Sequence, residues 1–320
     1  MSIFDSLKTN TKLFASQVYR LKSHYFLSKS LTVFCYHDIT NSPSEFSINY
    51  GLNIDPKTFE YQIKLIKNNF NIIDPDKLLE GDIPNNAALI TFDDGYKSII
   101  INAIPILKIY DAPCLIFLNM GPINGEISAQ GLTHYLCEKR EDFIPYLKSK
   151  VNVSSKLPPF LYCSRSIIDS YLEMSGEIFD ELVSDFIGPL PSISDIKNES
   201  KNNLVFFGNH LYHHDVPLLM SDNELVQSYN KNKEQLEVLP NYRDIFAFPF
   251  GQLGSCFSKK QIKILFKNGA KKVFGSSGTL NHNPVNSYLD RLSLNNNDTN
   301  ADKIWLSILK SHLRTALHNK

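Results

Sequence analysis

The run Ala88-Leu89-Ile90-Thr91-Phe92, followed at once by Asp93-Asp94-Gly95-Tyr96, constrains this chain more than any other stretch. A short apolar, β-branched run of this kind reads as a buried strand. Two adjacent carboxylates at its end are costly unless partners meet them. The glycine that follows permits a sharp exit. Far downstream, His210-Leu211-Tyr212-His213-His214 offers suitable partners. Two carboxylates and a pair of histidines suffice for a metal site with a base beside it.

Short apolar runs alternate with helical periodicity on either side of this strand. Residues 31–36 read as a strand, and Asp55-Pro56 reads as an N-cap with proline in the first turn. Phe59, Ile63, Ile66 and Phe70 then recur at helical spacing. Residues 70–73 and 113–118 supply two more strands, and 98–109 a helix with a kink expected at Pro105. Such alternation implies parallel strands with crossover helices. The rhythm breaks over 121–203, where 138–150 and 166–187 look helical and the prolines at 158–159 and 189 mark loops. Strands resume at 204–207, 245–248, 272–276 and 288–294. A capping box at Ser221-Asp222-Asn223-Glu224 opens a helix, and 301–317 closes the chain as another. The expectation is an α/β fold: a distorted (β/α) barrel over 31–320, with 121–203 inserted as a helical cap over its mouth.

Residues 1–30 form a separate N-terminal helix with Phe4, Leu7, Phe14, Val18, Leu21 and Phe26 as its apolar positions. Packing on the barrel is the expectation, and contact with a membrane surface through the basic face is the alternative. Lys8, Lys12, Arg20, Lys22 and Lys29 interrupt any secretory apolar core, and no run approaches the ~18 apolar residues of a membrane span. This predicts a cytoplasmic protein, with membrane association as the variant. A formal net charge of zero gives no reason to expect a nucleic-acid partner. The five cysteines include no CxxC pair, which argues against a disulfide framework or a cysteine-zinc site.

The motif beginning at Thr91 resembles the first motif of the polysaccharide deacetylases, the NodB-homology group of carbohydrate esterase family 4. Gly208-Asn209-His210-Leu211-Tyr212-His213-His214 resembles their His-x-x-x-His motif. Phe246-Ala247-Phe248-Pro249-Phe250-Gly251 resembles the third in its aromatic-Pro-aromatic-Gly form. Thr32 to Asp38, ending Cys35-Tyr36-His37-Asp38, is similar to the opening strand of the subgroup acting on poly-N-acetylglucosamine. The resemblance implies Asp94, His210 and His214 as ligands of one divalent ion, with zinc expected. It implies Asp93 as general base and the Phe250 backbone N–H as oxyanion donor. On the residues alone, His213 could reach the same side as His210, and Asn209 and Asp215 are candidate partners for the ring N–H groups.

Two departures stand out. The arginine that orients the base in many members is missing from the third motif. Arg291, in Leu289-Asp290-Arg291-Leu292, is the candidate replacement, against a surface ion pair with Asp290. The late Leu-x-His motif that supplies the general acid is also unclear, which leaves His37, His282 and His312. His37 ends the first strand, on the rim where barrel enzymes carry their chemistry, and is read as lining the site.

What the resemblance implies is metal-dependent hydrolysis of an N-acyl amide, acetyl in the first instance, on an amino sugar of a glycan or glycan precursor. Two alternatives follow from the departures. One is a catalytically impaired barrel that binds carbohydrate or acts as a scaffold. The other is a hydrolase of a soluble small amide such as a nucleotide-linked sugar.

Overall fold

A computed structural model of the chain describes residues 3–282 and 284–318, with side chains from 11 to 317 apart from 283. Its frame is a nine-stranded sheet in which every strand pairing is parallel. Strand Leu31–Tyr36 lies beside Ala87–Phe92, which is followed across the sheet by Cys114–Leu118, Val205–Asn209, Tyr242–Ala247 and Lys272–Phe274. Asn71–Ile72 is a short addition along the first residues of Ala87–Phe92.

The barrel meets itself at its last strand, which is split. Tyr288–Leu289 pairs with Lys272–Phe274, and Leu292–Ser293 pairs with Leu31–Tyr36 at the far edge. Asp290 and Arg291 occupy the seam. The expected strand over 288–294 is therefore two fragments, each satisfying one edge of the sheet.

Why these strands read as continuous apolar runs is visible in the packing. Leu31, Val33, Ala87, Leu89, Leu115, Phe117, Phe206, Ile245, Ala247, Phe274 and Leu289 form one cluster, inside the barrel. The alternate residues Phe34, Tyr36, Ala88, Ile90, Phe92, Ile116 and Phe207 join a second, under the helices. Side chains alternate faces along a strand, so burial on both faces requires apolar residues at both parities.

Several boundaries differ from expectation. The helix over 98–109 begins as a wider π turn, Ile99–Ala103, before the α-helix Ile104–Ile109. Pro105 is the second residue of that α-helix, so the widened turn lies directly before the position that supplies no N–H. The insertion carries helices Ala129–Lys139, Phe143–Lys150, Arg165–Ser175, Asp180–Ile187 and Ile193–Glu199. A single helix does not run over 138–150; the charged stretch Arg140-Glu141-Asp142 separates two. Leu132, Leu136, Phe143, Leu147, Ile168, Tyr171 and Val183 give this insertion a core of its own.

The N-terminal helix Ile3–Leu21 packs along Ala301–His318, and of the expected apolar positions with described side chains Phe26 takes part in that packing while Phe14, Val18 and Leu21 do not. Tyr19 stacks on Phe26 at 5.1 Å and lies edge-on to Trp305, while its hydroxyl meets His312 Nδ1 at 3.1 Å. Buried Ser16 accompanies Tyr19. Phe14, Val18 and Leu21 face solvent, as does Tyr25 beyond them. A small residue and a tyrosine with a polar partner allow close approach to the neighbouring helix; the bulkier apolar stripe is left outside. Phe4 and Leu7 lie outside the described side chains.

Candidate active site

The inward parity that carries Leu31 and Val33 continues to Cys35 and His37. The parity of Ala87 and Leu89 continues to Thr91 and Asp93, that of Leu115 and Phe117 to Asn119, and that of Leu289 to Arg291. Polar residues of this parity thus gather at the strands' carboxyl ends, where the apolar core stops and active sites of such barrels sit.

Asp93 is buried and met from three sides. Arg291 Nη1 donates to Asp93 Oδ1 at 2.5 Å, and the same guanidinium's Nε donates to the Gly275 carbonyl at 3.0 Å. His37 Nε2 stands 3.9 Å from Asp93 Oδ2. The Cys35 thiol donates to that oxygen at 3.7 Å. Burial pushes the Asp93 carboxyl upward, but Arg291, with His210 and His37, outweighs it and holds the group below the usual carboxylate range. No ion pair forms between Arg291 and Asp290, whose carboxylate instead accepts from Ser277 N at 2.6 Å and Thr279 Oγ1 at 2.7 Å.

Asp94 faces the histidines. Its Oδ1 lies 3.2 Å from His214 Nε2 and 3.5 Å from His210 Nε2, and the two imidazoles are 4.8 Å apart. Burial raises the Asp94 carboxyl, and His214 and His210 reverse this and carry it well below the ordinary range. The segment 210–214 is not helical. The histidines converge because Leu211 and His214 adopt left-handed backbone, at φ 64° and 63°. Asp94 and Phe250 do likewise, so four of the six non-glycine residues with positive φ among the described residues lie in this one site. Strain of this kind costs of order 1–3 kcal/mol per residue and persists where the surroundings impose it. Part of the imposition is visible: the buried Asn119 side chain donates to the carbonyls of His210 and Leu211.

These three residues fit a divalent ion. His210 Nδ1 donates to the Ala247 carbonyl at 2.8 Å, which leaves the lone pair on Nε2, facing the Asp94 carboxylate. Two lone pairs at that separation repel unless a proton or a metal ion lies between them. Asp94 Oδ1 is also buried without a hydrogen bond. One carboxylate and two imidazoles suit zinc-like ions and leave positions open for water and substrate.

Other expected partners are placed elsewhere. His213 turns away to meet Glu126 Oε2 at 3.1 Å. Asp215 lies beside His213 in a separate surface pocket. Asn209 donates to the Tyr229 carbonyl and accepts from Leu211 N and Asn232, so the partner of His210 is a backbone carbonyl. His282 stands edge-on to His312 of the C-terminal helix and does not line the pocket. His37 is the remaining candidate acid, and it lines the cavity with Asp93, Asp94, His210, His214 and Arg291.

Phe250 and Gly251 form the turn after strand Tyr242–Ala247, both with positive φ. At Gly251 a Cβ would stand 2.4 Å from Ser276 Cβ, so the turn is pressed against the next strand's exit and only glycine fits. The Phe250 N–H finds no protein acceptor among the described residues. Its ring packs 4.8 Å from that of His214.

The insertion supplies what the motifs did not announce. His134 lies tilted against Phe160 at 4.2 Å, Phe160 stacks on Phe250 at 5.4 Å, and Tyr50 stands edge-on to His134 at 4.4 Å. Burial pushes the His134 imidazole down to about 4, so it is neutral. Neither His134 nor Phe160 has a sequence signal separating it from an ordinary core residue. Cys35 and Asn119 do have one: a polar residue at inward parity just past an apolar strand.

A model of the family described as polysaccharide deacetylase matches residues 80–273. No curated protein matches this chain. Among solved structures it is similar to the deacetylase PplD of Streptococcus pyogenes in complex with acetate, at 15% identity and TM-score 0.58, covering 88% of this chain and 99% of that one. It is similar to IcaB from Ammonifex degensii at 18% identity and TM-score 0.54, covering 87% and 97%. A de-N-acetylase from Aggregatibacter actinomycetemcomitans matches at 16% identity and TM-score 0.55, covering 87% and 100%. At these identities the structural likeness speaks to the fold.

Proposed function

This chain belongs to the polysaccharide deacetylase family, hydrolases of amide bonds, and from that premise we propose that it removes an N-acyl group, acetyl in the first instance, from an amino sugar of a glycan or glycan precursor. The observation that carries the reading is the convergence of Asp94, His210 and His214 directly beside an Asp93 held by Arg291.

Asp94, His210 and His214 would hold one divalent ion, zinc in our reading, which would supply a Lewis acid for the carbonyl and a lowered pKa for the attacking water. Asp93 is ionised and takes the proton of that water. Arg291 keeps it charged and fixes its orientation through a short charge-assisted bond. The Phe250 N–H donates to the carbonyl oxygen as charge develops there, a contribution of ~3 kcal/mol for a preorganised donor. His37, 3.9 Å from the Asp93 oxygen that Arg291 does not hold, passes that proton on to the departing nitrogen, so neither group keeps it. The C–N bond breaks, hydroxyl remains on the acyl carbon, and the free amine and a carboxylic acid leave.

The binding-only alternative drew on a missing arginine, and a guanidinium stands at Asp93 after all. The test is a screen of metal-loaded protein against polymeric, lipid-linked and nucleotide-linked N-acyl amino sugars, with free amine and acetate as readouts. Release of neither from any of them would end the deacetylase reading.

We also place the protein in the cytoplasm, at a membrane surface. Phe14, Val18, Leu21 and Tyr25 repeat at spacings of four, three and four, so they form one exposed stripe, flanked by Lys12, Arg20, Lys22 and Lys29. Apolar residues edged by lysine and arginine suit an anionic lipid interface. Co-sedimentation with vesicles containing phosphatidylglycerol, lost in Leu21→Asp, is the expected result. Equal recovery with and without vesicles would remove this part.

A further inference from the structure

Resting on that reading, we propose that the site is closed on one side and takes its amino sugar end-on, as the terminal unit of a glycan or glycan precursor rather than a unit inside a chain. The closure is made by two segments that the motifs do not include. The short helix Glu45–Asn49 reaches across to the insertion helices Ala129–Lys139 and Asp180–Ile187. Ser44 Oγ donates to the Ile187 carbonyl at 2.9 Å, and Asn49 Nδ2 to Glu138 Oε2 at 2.7 Å. The Tyr50 hydroxyl donates to the other Glu138 oxygen, and the Lys139 ammonium pairs with Glu45. Beneath these bonds Phe46 packs on His134 at 5.1 Å and on Phe186 at 5.6 Å. The clasp is therefore polar outside and aromatic inside.

Its inner surface is the wall of the catalytic cavity. Phe46, Tyr50, His134 and Phe160 line the same space as Asp93 and His210. That space measures about 230 Å³, below the roughly 300–1,000 Å³ of pockets for drug-sized ligands. It suits one sugar unit rather than several in a row. The chemistry of the wall suits a sugar too: stacked rings meet the apolar C–H face of a pyranose. His134 Nδ1 donates to the Gln130 carbonyl at 2.8 Å, so its other nitrogen is an acceptor for a hydroxyl or amide N–H. A chain continuing in both directions from the reacting unit would have to pass through the clasp.

The experiment supplies metal-loaded full-length protein with short oligomers and a long polymer of N-acetylglucosamine, and locates the deacetylated unit by mass spectrometry. The expected product lacks one acetyl group, at a chain end, and the rate per chain end does not change with length. Glu138→Ala removes the shared acceptor of Asn49 and Tyr50. Loss of two exposed hydrogen bonds should shift the clasp ~5–30-fold toward its open form, and deacetylation of internal units should rise by that factor. Circular dichroism establishes that this variant is folded, and the wild-type product map stands without it. Deacetylation scattered along the polymer by the wild-type protein would overturn the end-on site while leaving the deacetylase reading intact. No turnover of any N-acetylated sugar would overturn that reading, and the end-on site with it.

Discussion

The rim of the barrel and the wall built by the insertion together with segment 45–50 face each other across one cavity, and they are made of opposite materials. The rim holds Asp93, Asp94, His37, His210, His214 and Arg291, fixed in a network of charge-assisted bonds and strained backbone. The wall holds Phe46, Tyr50, His134 and Phe160, with no group charged at neutral pH. Charge that must be aimed at a reacting carbonyl needs a rigid support, and a buried parallel sheet gives one. Recognition of a sugar face needs area and shape, which helices with their own small core can provide and vary. The division predicts that rim substitutions act on metal and turnover, and that wall substitutions act on affinity.

The largest effect should come from His210→Ala. It removes one ligand whose geometry is fixed by the Ala247 carbonyl. Metal affinity should fall by more than the ~10–100-fold typical of losing a partner that only supports a ligand. Elemental analysis after dialysis measures it, and retention of a full equivalent of metal would remove His210 from the ligand set. Asp93→Asn comes next: metal content should persist while turnover falls ~100-fold or more, the scale of a positioned base. Loss of the metal in this variant would mean that the two aspartates had exchanged roles.

Arg291→Ala separates charge from position. Burial would then act on Asp93 with its strongest opposing charge gone, and its folded-state pKa would rise. Because the base works deprotonated, the acidic limb of the turnover profile should move to higher pH. Leaving a buried carboxylate unpaired costs ~3–5 kcal/mol, so the thermal midpoint should drop as well. Arg291→Lys should recover part of both, since an ammonium restores charge without the second donor to Gly275. An unmoved acidic limb in both variants would detach Arg291 from the base.

The mildest change, Phe160→Ala, tests the other side of the comparison. Phe160 is half-buried, so its loss should raise KM several-fold with kcat and metal content little altered, stacking being worth ~0.5–1.5 kcal/mol. A fall in kcat at constant KM would show that the wall takes part in the chemistry, and the contrast between the two regions would fail.

Much of the rim was legible in the chain because it obeys strand periodicity. An apolar run that ends in carboxylates, a histidine cluster after a second run and an arginine in a third each mark the same end of a parallel strand. How His210 and His214 converge was not legible, since it needs left-handed backbone at Leu211 and His214, and the Asn119 side chain that holds the His210 and Leu211 carbonyls comes from the end of another strand. The face of the N-terminal helix was also inverted: Ser16 and Tyr19 are chosen by the shape of the helix they meet, which composition does not encode.

By itself, then, the sequence determined the parallel barrel and the identity of its inward polar residues, because period-two burial and the cost of unpaired charge are local properties of each strand. Only the tertiary structure decided that Arg291 reaches Asp93, a partner 198 residues away, and that Glu45–Asn49 closes against the insertion. Those pairings depend on which strand carries the seam of the barrel and on how the insertion's own core orients its helices. Both are set by packing between distant segments, and no spacing within either segment records them.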